Sequence, residues 1–128
     1  KIFSFIQITF NVLDRLTLSV LESHPNAPKF KFIARSIFLQ GLLTKNDKSS
    51  SIQLSPLNPL NPFINSMKKI ATRIDLSLSE ICLRFPAYNP SIGIAIFGNQ
   101  SLRELRINLS NYIKGPLNND IIEVIDDI

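Results

Sequence analysis

Few side chains in this sequence are equipped for bond-making chemistry, and they do not fall into a working set. Histidine and cysteine each occur once, as His24 and Cys82, so any nucleophile–histidine–acid relay would have to be built on His24. That residue stands in His24-Pro25-Asn26-Ala27-Pro28, a turn between a helix and the next strand. In a parallel α/β unit such a turn lies at the N-terminal end of the following strand, away from the catalytic face, so a structural or solvated role is expected. Cys82 sits in an apolar helical stretch and reads as a small buried hydrophobe. One cysteine makes no internal disulfide, and no Cys/His cluster offers a metal site. The sequence contains neither a GxGxxG fingerprint nor a phosphate-binding P-loop. Carboxylates gather at Asp120, Glu123, Asp126 and Asp127, which read as an exposed helix face with Glu123 and Asp127 repelling one turn apart. From these residue types alone, no active site assembles.

The bulk properties narrow the partners. The formal charge is +4 and the pI about 9.5, but the basic residues are dispersed. Lys29 and Lys31 flank a strand, Lys68 and Lys69 share one helix, and Arg103 and Arg106 share another. None is interleaved with aromatics, so a nucleic-acid surface is not expected. No apolar run approaches the roughly 18 residues of a membrane span, and no secretory leader is visible. A reduced, cytoplasmic setting is the default for such cysteine usage. Lys1 is not an initiator Met, so the chain is expected to start inside a longer protein. At 128 residues with 45% hydrophobic content, it can form one unit with a core of its own.

The elements that must position any site follow from periodicity. Residues 2–10 are β-branched and aromatic and read as a strand buried on both faces, as parallel strands are. A short helix over 14–23 ends at Pro25. Residues 30–36 form a second strand, Gln40–Leu43 a turn or short helix, and 44–62 a long loop rich in Ser, Asn and Pro. Asn61-Pro62 signals a helix start, followed by apolar positions 63, 64, 67, 70, 71 and 74 on one stripe. Ser77/Glu80 and Ser101/Glu104 have capping-box spacing. Between them Pro86 is expected to end the first helix early, and 92–97 to form a third strand. The helix over 102–113 places Leu102, Leu105, Leu109, Tyr112 and Ile113 on one side. Gly115-Pro116 stops it, and a last helix spans 120–127, capped by Asn118 or Asn119. Strands alternating with helices imply right-handed parallel units. Three such strands leave both sheet edges bare.

Several strings together resemble one family. Gln7-Ile8-Thr9-Phe10-Asn11-Val12-Leu13-Asp14-Arg15 resembles the sixth strand and following loop of the aldo-keto reductases. Ile33-Ala34-Arg35-Ser36 through Leu43 resembles their seventh strand and its phosphate-proximal loop. Leu76 to Phe85 resembles the helix that precedes the last strand, and Ile92 to Asn108 the eighth strand and the helix that contacts adenine. The order and spacing match over nearly the whole chain. The resemblance implies an α/β fold, part of a (β/α)8 TIM barrel carrying strands six to eight and their helices, with its site at the C-terminal strand ends. It implies residues 1–128 as one piece, the C-terminal half of such a barrel.

The resemblance also implies roles in binding NADP or NAD. Gln7 would bond the nicotinamide carboxamide, and Arg35 stands where many members stack an aromatic ring on the nicotinamide. Ser36, Phe38, Gln40 and Gly41 would hold the pyrophosphate. Gly98, Asn99 and Ser101 would hold the adenosine phosphate region, with Glu104 beside them and Asn108 bonding adenine. NADP-preferring members place a lysine and an arginine at the positions of Gly98 and Glu104; their absence implies tolerance of NADH. A second departure is Pro86, in a helix that runs unbroken in most relatives. The family's Asp/Tyr/Lys/His tetrad belongs to the first five strands and resembles nothing here; Tyr88 and Tyr112 read as packing residues. The implied activity is carbonyl–alcohol interconversion on a small-molecule substrate by hydride transfer. The chain would supply the cofactor-binding part, without turnover of its own and with a tendency to self-associate. The alternative is a non-catalytic cofactor-sensing or interaction module on the same fold.

Overall fold

The computed structural model describes residues 4–43 and 58–128. Three strands, β1 (Phe5–Thr9), β2 (Lys31–Arg35) and β3 (Ile92–Ala95), form one sheet in the order β1-β2-β3. Both pairings are parallel. Between β1 and β2 lies α1 (Leu16–Glu22), between β2 and β3 lie α2 (Asn61–Arg73) and α3 (Leu78–Ala87), and α4 (Leu102–Tyr112) and α5 (Asn119–Asp126) follow β3. Most of the expected long loop, residues 44–57, and the first two residues of the expected first strand lie outside the described residues.

The strands are buried on one face only, against the expectation of two. Ile8, Phe32, Ala34 and Ile92 are buried among the helices. The residues that alternate with them along the strands point the other way and pair with one another: Gln7 with Ile33, Ile33 with Ile94, and Thr9 with Arg35. On this second face Phe5 and Ile94 are about half exposed, at 51% and 46%. The apolar side chains of a two-sided parallel strand are therefore present, but the layer that would cover the second face is not among the described residues.

Helices α2 and α3 form the main support. The stripe predicted on α2 buries Ile64, Met67, Ile70 and Ala71. Asn61 is the first helical residue rather than the cap; Asn58 Oδ1 accepts from the Leu60 amide just ahead of it, at 2.9 Å. On α3, Ile81, Cys82 and Leu83 are fully buried, and Phe85 stacks on Phe10 with ring centroids 5.6 Å apart. Burial pushes the Cys82 thiol well above its ordinary pKa, which fits an inert core position. Pro86 lies within the last turn of α3, and the helix continues to Ala87. A proline this close to the end removes one hydrogen bond where the ladder is finishing, so it does not stop the helix ahead of itself.

Ser77 caps α3 as predicted, its Oγ accepting from the Glu80 amide at 3.1 Å. The reciprocal half of the box is replaced. The buried Glu80 carboxylate takes Arg84 Nη1 at 2.5 Å and Lys114 Nζ at 2.6 Å. Arg84 also donates to the carbonyls of Gly115 and Pro116, both at 2.7 Å. This cluster ties α3 to the turn between α4 and α5, where Gly115 takes a positive φ of 82° open to glycine at no steric cost.

Helix α4 is turned opposite to its apolar pattern. Its buried residues are Asn108 and Asn111, while Leu102 and Ile113 are 75% and 79% exposed. Packing against α3, together with a hydrogen bond from Asn108 Nδ2 to Asn99 Oδ1 at 2.8 Å, sets the rotation and outweighs the leucine stripe. Tyr88 and Tyr112 pack together as expected, stacked at 5.2 Å, with the Tyr88 hydroxyl donating to the Tyr112 carbonyl. On α5, Ile125 is buried, and Arg15 bonds both its carbonyl and the Asp126 carboxylate. The four C-terminal carboxylates are exposed, as expected.

Candidate functional site

The C-terminal ends of β2 and β3 each run into a loop, and the two loops form the walls of a cavity of about 540 Å³. The first wall is Arg35 to Phe38 with Gly41. The second runs from Ile96 through Gly98, Asn99 and Gln100 to Glu104, Ile107 and Asn108 on α4, and Ser79 adds an edge from α3.

The first loop is held in an unusual backbone conformation. Ser36 has a φ of 58° and Leu39 of 46°, left-handed values that cost a non-glycine residue on the order of 1–2 kcal/mol each. Their surroundings compensate. Leu39 N donates to Ser36 O and Gly41 N to Phe38 O, both at 3.0 Å. Fully buried Asn11, just past β1, donates through Nδ2 to Ser36 O at 3.1 Å, and its Oδ1 accepts from the amides of Leu13 and Asp14, both at 2.9 Å. One side chain thus fixes the loop after β1 and pins the loop after β2. Phe38 meets Phe97 edge-on at 5.7 Å, bridging the two walls.

The amides of Ile37, Phe38, Gly98 and Asn99 donate to no group among the described residues. Unpaired N–H groups on adjacent loops at strand ends suit an anion. Among the described residues Arg35 adds the one cation of the lining, its Nη1 3.3 Å from Ser36 Oγ. At the other end stands the carboxylate of Glu104. Its amide is capped by Ser101 Oγ at 3.1 Å, and its Oε2 accepts from Gln100 N at 2.6 Å.

Of the residues singled out in the sequence, Arg35, Ser36, Phe38, Gly41, Gly98, Asn99, Glu104 and Asn108 line this cavity together. Ser101 stands behind Glu104 as its cap rather than in the lining. Gln7 lies on the open sheet face, one row below Thr9 and Arg35, or about 7 Å from the strand end at the usual rise per residue. Gln40 belongs to a 3₁₀ turn over Leu39–Gly41; its side chain lies outside the described residues. The sequence reading missed Ile37, Ser79, Ile96, Phe97, Gln100 and Ile107 in the lining, and Asn11 as organiser. Only Asn11 carried a readable signal, an Asn directly after a strand with an Asp three residues on, as in side-chain-built turns.

His24 lies at the opposite end of the sheet, exposed, its Nδ1 accepting from the Asn26 amide. Among the described residues no group of His, Cys, Asp or Glu could hold a metal ion, and no helix is long and apolar enough to cross a membrane.

A parallel sheet with helices packed on one face and a concave site at the C-terminal strand ends is consistent with part of a β/α barrel. The sequence profile of the aldo/keto reductase family matches residues 2–128, and the chain belongs to that family. Comparison with curated protein sequences gives no match. Among solved structures, the chain is similar to the holo form of aldo-keto reductase AKR11C1 from Bacillus halodurans, at 16% identity and a TM-score of 0.79, over 98% of this chain and 42% of that one. The apo form of the same protein follows at 17% and 0.73, over 96% of this chain and 42% of that one. The glycerol dehydrogenase AKR11B4 from Gluconobacter oxydans gives 18% and 0.67, over 96% and 41%. The chain thus spans about two fifths of the length of these structures.

Proposed function

We propose that the chain is the cofactor-binding part of an aldo-keto reductase, comprising strands six to eight of the barrel and their helices, in a protein that interconverts carbonyls and alcohols with NAD(P)H. The observation that carries this reading is the cavity at the strand ends, where two neighbouring loops bring unpaired amides and one guanidinium together. Its volume lies within the usual range for ligand sites. The residues fit a dinucleotide. Ser36, Phe38 and Gly41 with the adjacent Arg35 suit a pyrophosphate. Asn99 and Asn108 at the far end suit an adenosine, and Gln7 on the open face suits the nicotinamide amide, reached from the same rim. The bound cofactor would supply the hydride; the residues here hold and orient it.

A proton donor for the carbonyl has to come from elsewhere. Among the described residues the titratable side chains of the cavity lining are Arg35 and Glu104, and the Tyr88 hydroxyl is committed to a backbone carbonyl. These 128 residues by themselves are therefore expected to show no turnover. Isolated, the open sheet face and the two strand edges would favour self-association. The small-molecule carbonyl substrate belongs to this reading as well, as does a cytoplasmic location.

The direct test is a calorimetric titration with ADP-ribose, which carries the adenosine and pyrophosphate but no redox group. Saturable one-site binding that Arg35→Ala weakens at least about tenfold, the loss of one charge-assisted contact, is the expected result. No heat of binding would contradict the proposal. Ser36→Gly separates fold from ligand. Removing the left-handed strain raises stability by up to about 1 kcal/mol, read in thermal melts, while loss of the hydroxyl weakens ADP-ribose binding.

A further inference from the structure

A second cavity, of about 510 Å³, lies at the N-terminal end of the sheet, away from the loops after β2 and β3. Its floor is apolar. Ile6 and Phe32 stand in register on β1 and β2, and Leu21 of α1 and Phe30 close the sides. Its rim is the turn that carries His24, Asn26 and Lys29. That turn is fixed. Pro25 and Pro28 stiffen it, Ala27 N donates to His24 O at 2.8 Å, and Phe30 N donates to Ala27 O at 3.0 Å. Asn26 orients both of its neighbours on the rim. Its amide donates to His24 Nδ1 at 3.1 Å, and its Oδ1 accepts from Lys29 Nζ at 2.7 Å. A ring whose Nδ1 accepts carries its proton on Nε2, so His24 presents an N–H donor. That donor and the remaining ammonium protons of Lys29 have no partner among the described residues. Among those residues no carboxylate enters the lining; Glu22, two residues before His24, accepts from Ser91 instead.

We propose that this cavity binds a small amphipathic carboxylate, with its apolar body on Ile6, Leu21, Phe30 and Phe32 and its carboxylate on Lys29 Nζ and His24 Nε2. Charge selects the occupant. Apolar walls alone would take any hydrocarbon of the right size. Two donors on one edge, one of them cationic and neither opposed by an acid, suit an anion with two acceptor oxygens. Because Asn26 already holds both donors, the ligand meets a rim that needs little further ordering. The proposal is independent of the dinucleotide reading, since the two cavities share no residue.

The test uses the protein as naturally expressed, titrated with octanoate and followed by backbone amide spectra. Resonances of His24 to Phe32 should shift along one saturation curve while those of Ser36 to Gly41 stay still. Octan-1-ol has the same chain without the charge and is expected to bind at least about tenfold more weakly, the loss of one charge-assisted contact. Octylammonium, of opposite charge, should bind more weakly again. Lys29 is exposed, so Lys29→Gln leaves the fold intact and should bring octanoate down to the level of the alcohol. No shift with octanoate overturns the proposal, as does equal binding of the alcohol or the amine, which would mark a merely greasy surface. Undiminished octanoate binding by Lys29→Gln overturns it too, and so do shifts centred on the loops after β2 and β3.

Discussion

Asn11→Leu is expected to cost about 3 kcal/mol or more in stability and to abolish ADP-ribose binding with it. The side chain is fully buried and makes three hydrogen bonds. Leucine is close in volume, so little of the loss would come from a cavity. Its removal leaves the Leu13 and Asp14 amides and the Ser36 carbonyl without these partners, at about 1–3 kcal/mol for each group kept from water. The binding loss has a separate cause. Ser36 holds a left-handed backbone that its surroundings must enforce. Released from Asn11, the loop after β2 relaxes and the Phe38 edge contact on Phe97 goes with it. Urea titration and calorimetry on one sample read both effects. A stable variant that binds normally would show that Asn11 organises only its own turn.

Arg84→Met should destabilise the chain by about 3 kcal/mol, the lower range for breaking a buried ion pair from one side. The side chains of Arg84 and Glu80 are 11% and 5% exposed. Lys114 stays with Glu80 at 2.6 Å but is itself half exposed, so it compensates the stranded carboxylate only in part. The carbonyls of Gly115 and Pro116 lose their donor as well. Because those two residues link α4 to α5, the loss should appear as early unfolding of the C-terminal helices, read as hydrogen exchange in Leu117–Ile125. A change below about 1 kcal/mol in urea midpoints would mean that Lys114 and water replace the guanidinium.

Much of the scaffold was legible because local rules decide it. Runs such as Phe-Ile-Gln-Ile-Thr and Lys-Phe-Ile-Ala-Arg can be little else than strands, and Ser77 and Ser101 both cap as their spacing foretold. What escaped depends on neighbours in space. The leucines of α4 have helical period, but period alone does not say which face meets the core; packing against α3 and the bond between Asn108 and Asn99 set it. Glu80 had the spacing to complete a box on Ser77, yet Arg84 one turn along and Lys114, 34 residues away, bind it instead. The site was legible only through the family resemblance, which pointed to Arg35-Ser36 and Gly98-Asn99; residue types alone assembled none. Ile96, Phe97 and Ser79 went unseen, since apolar strand residues and a helix-start serine look the same whether or not they face a cavity.

On this reading the loops after β2 and β3 grip one dinucleotide between them. Backbone amide spectra recorded through a titration with NAD⁺ test it most directly. Resonances of Ser36 to Gly41 and of Gly98 to Asn108 should move together, along a single saturation curve, while those of His24 to Phe30 at the opposite end of the sheet stay still. Movement confined to one loop, or centred on the His24 end, would contradict it.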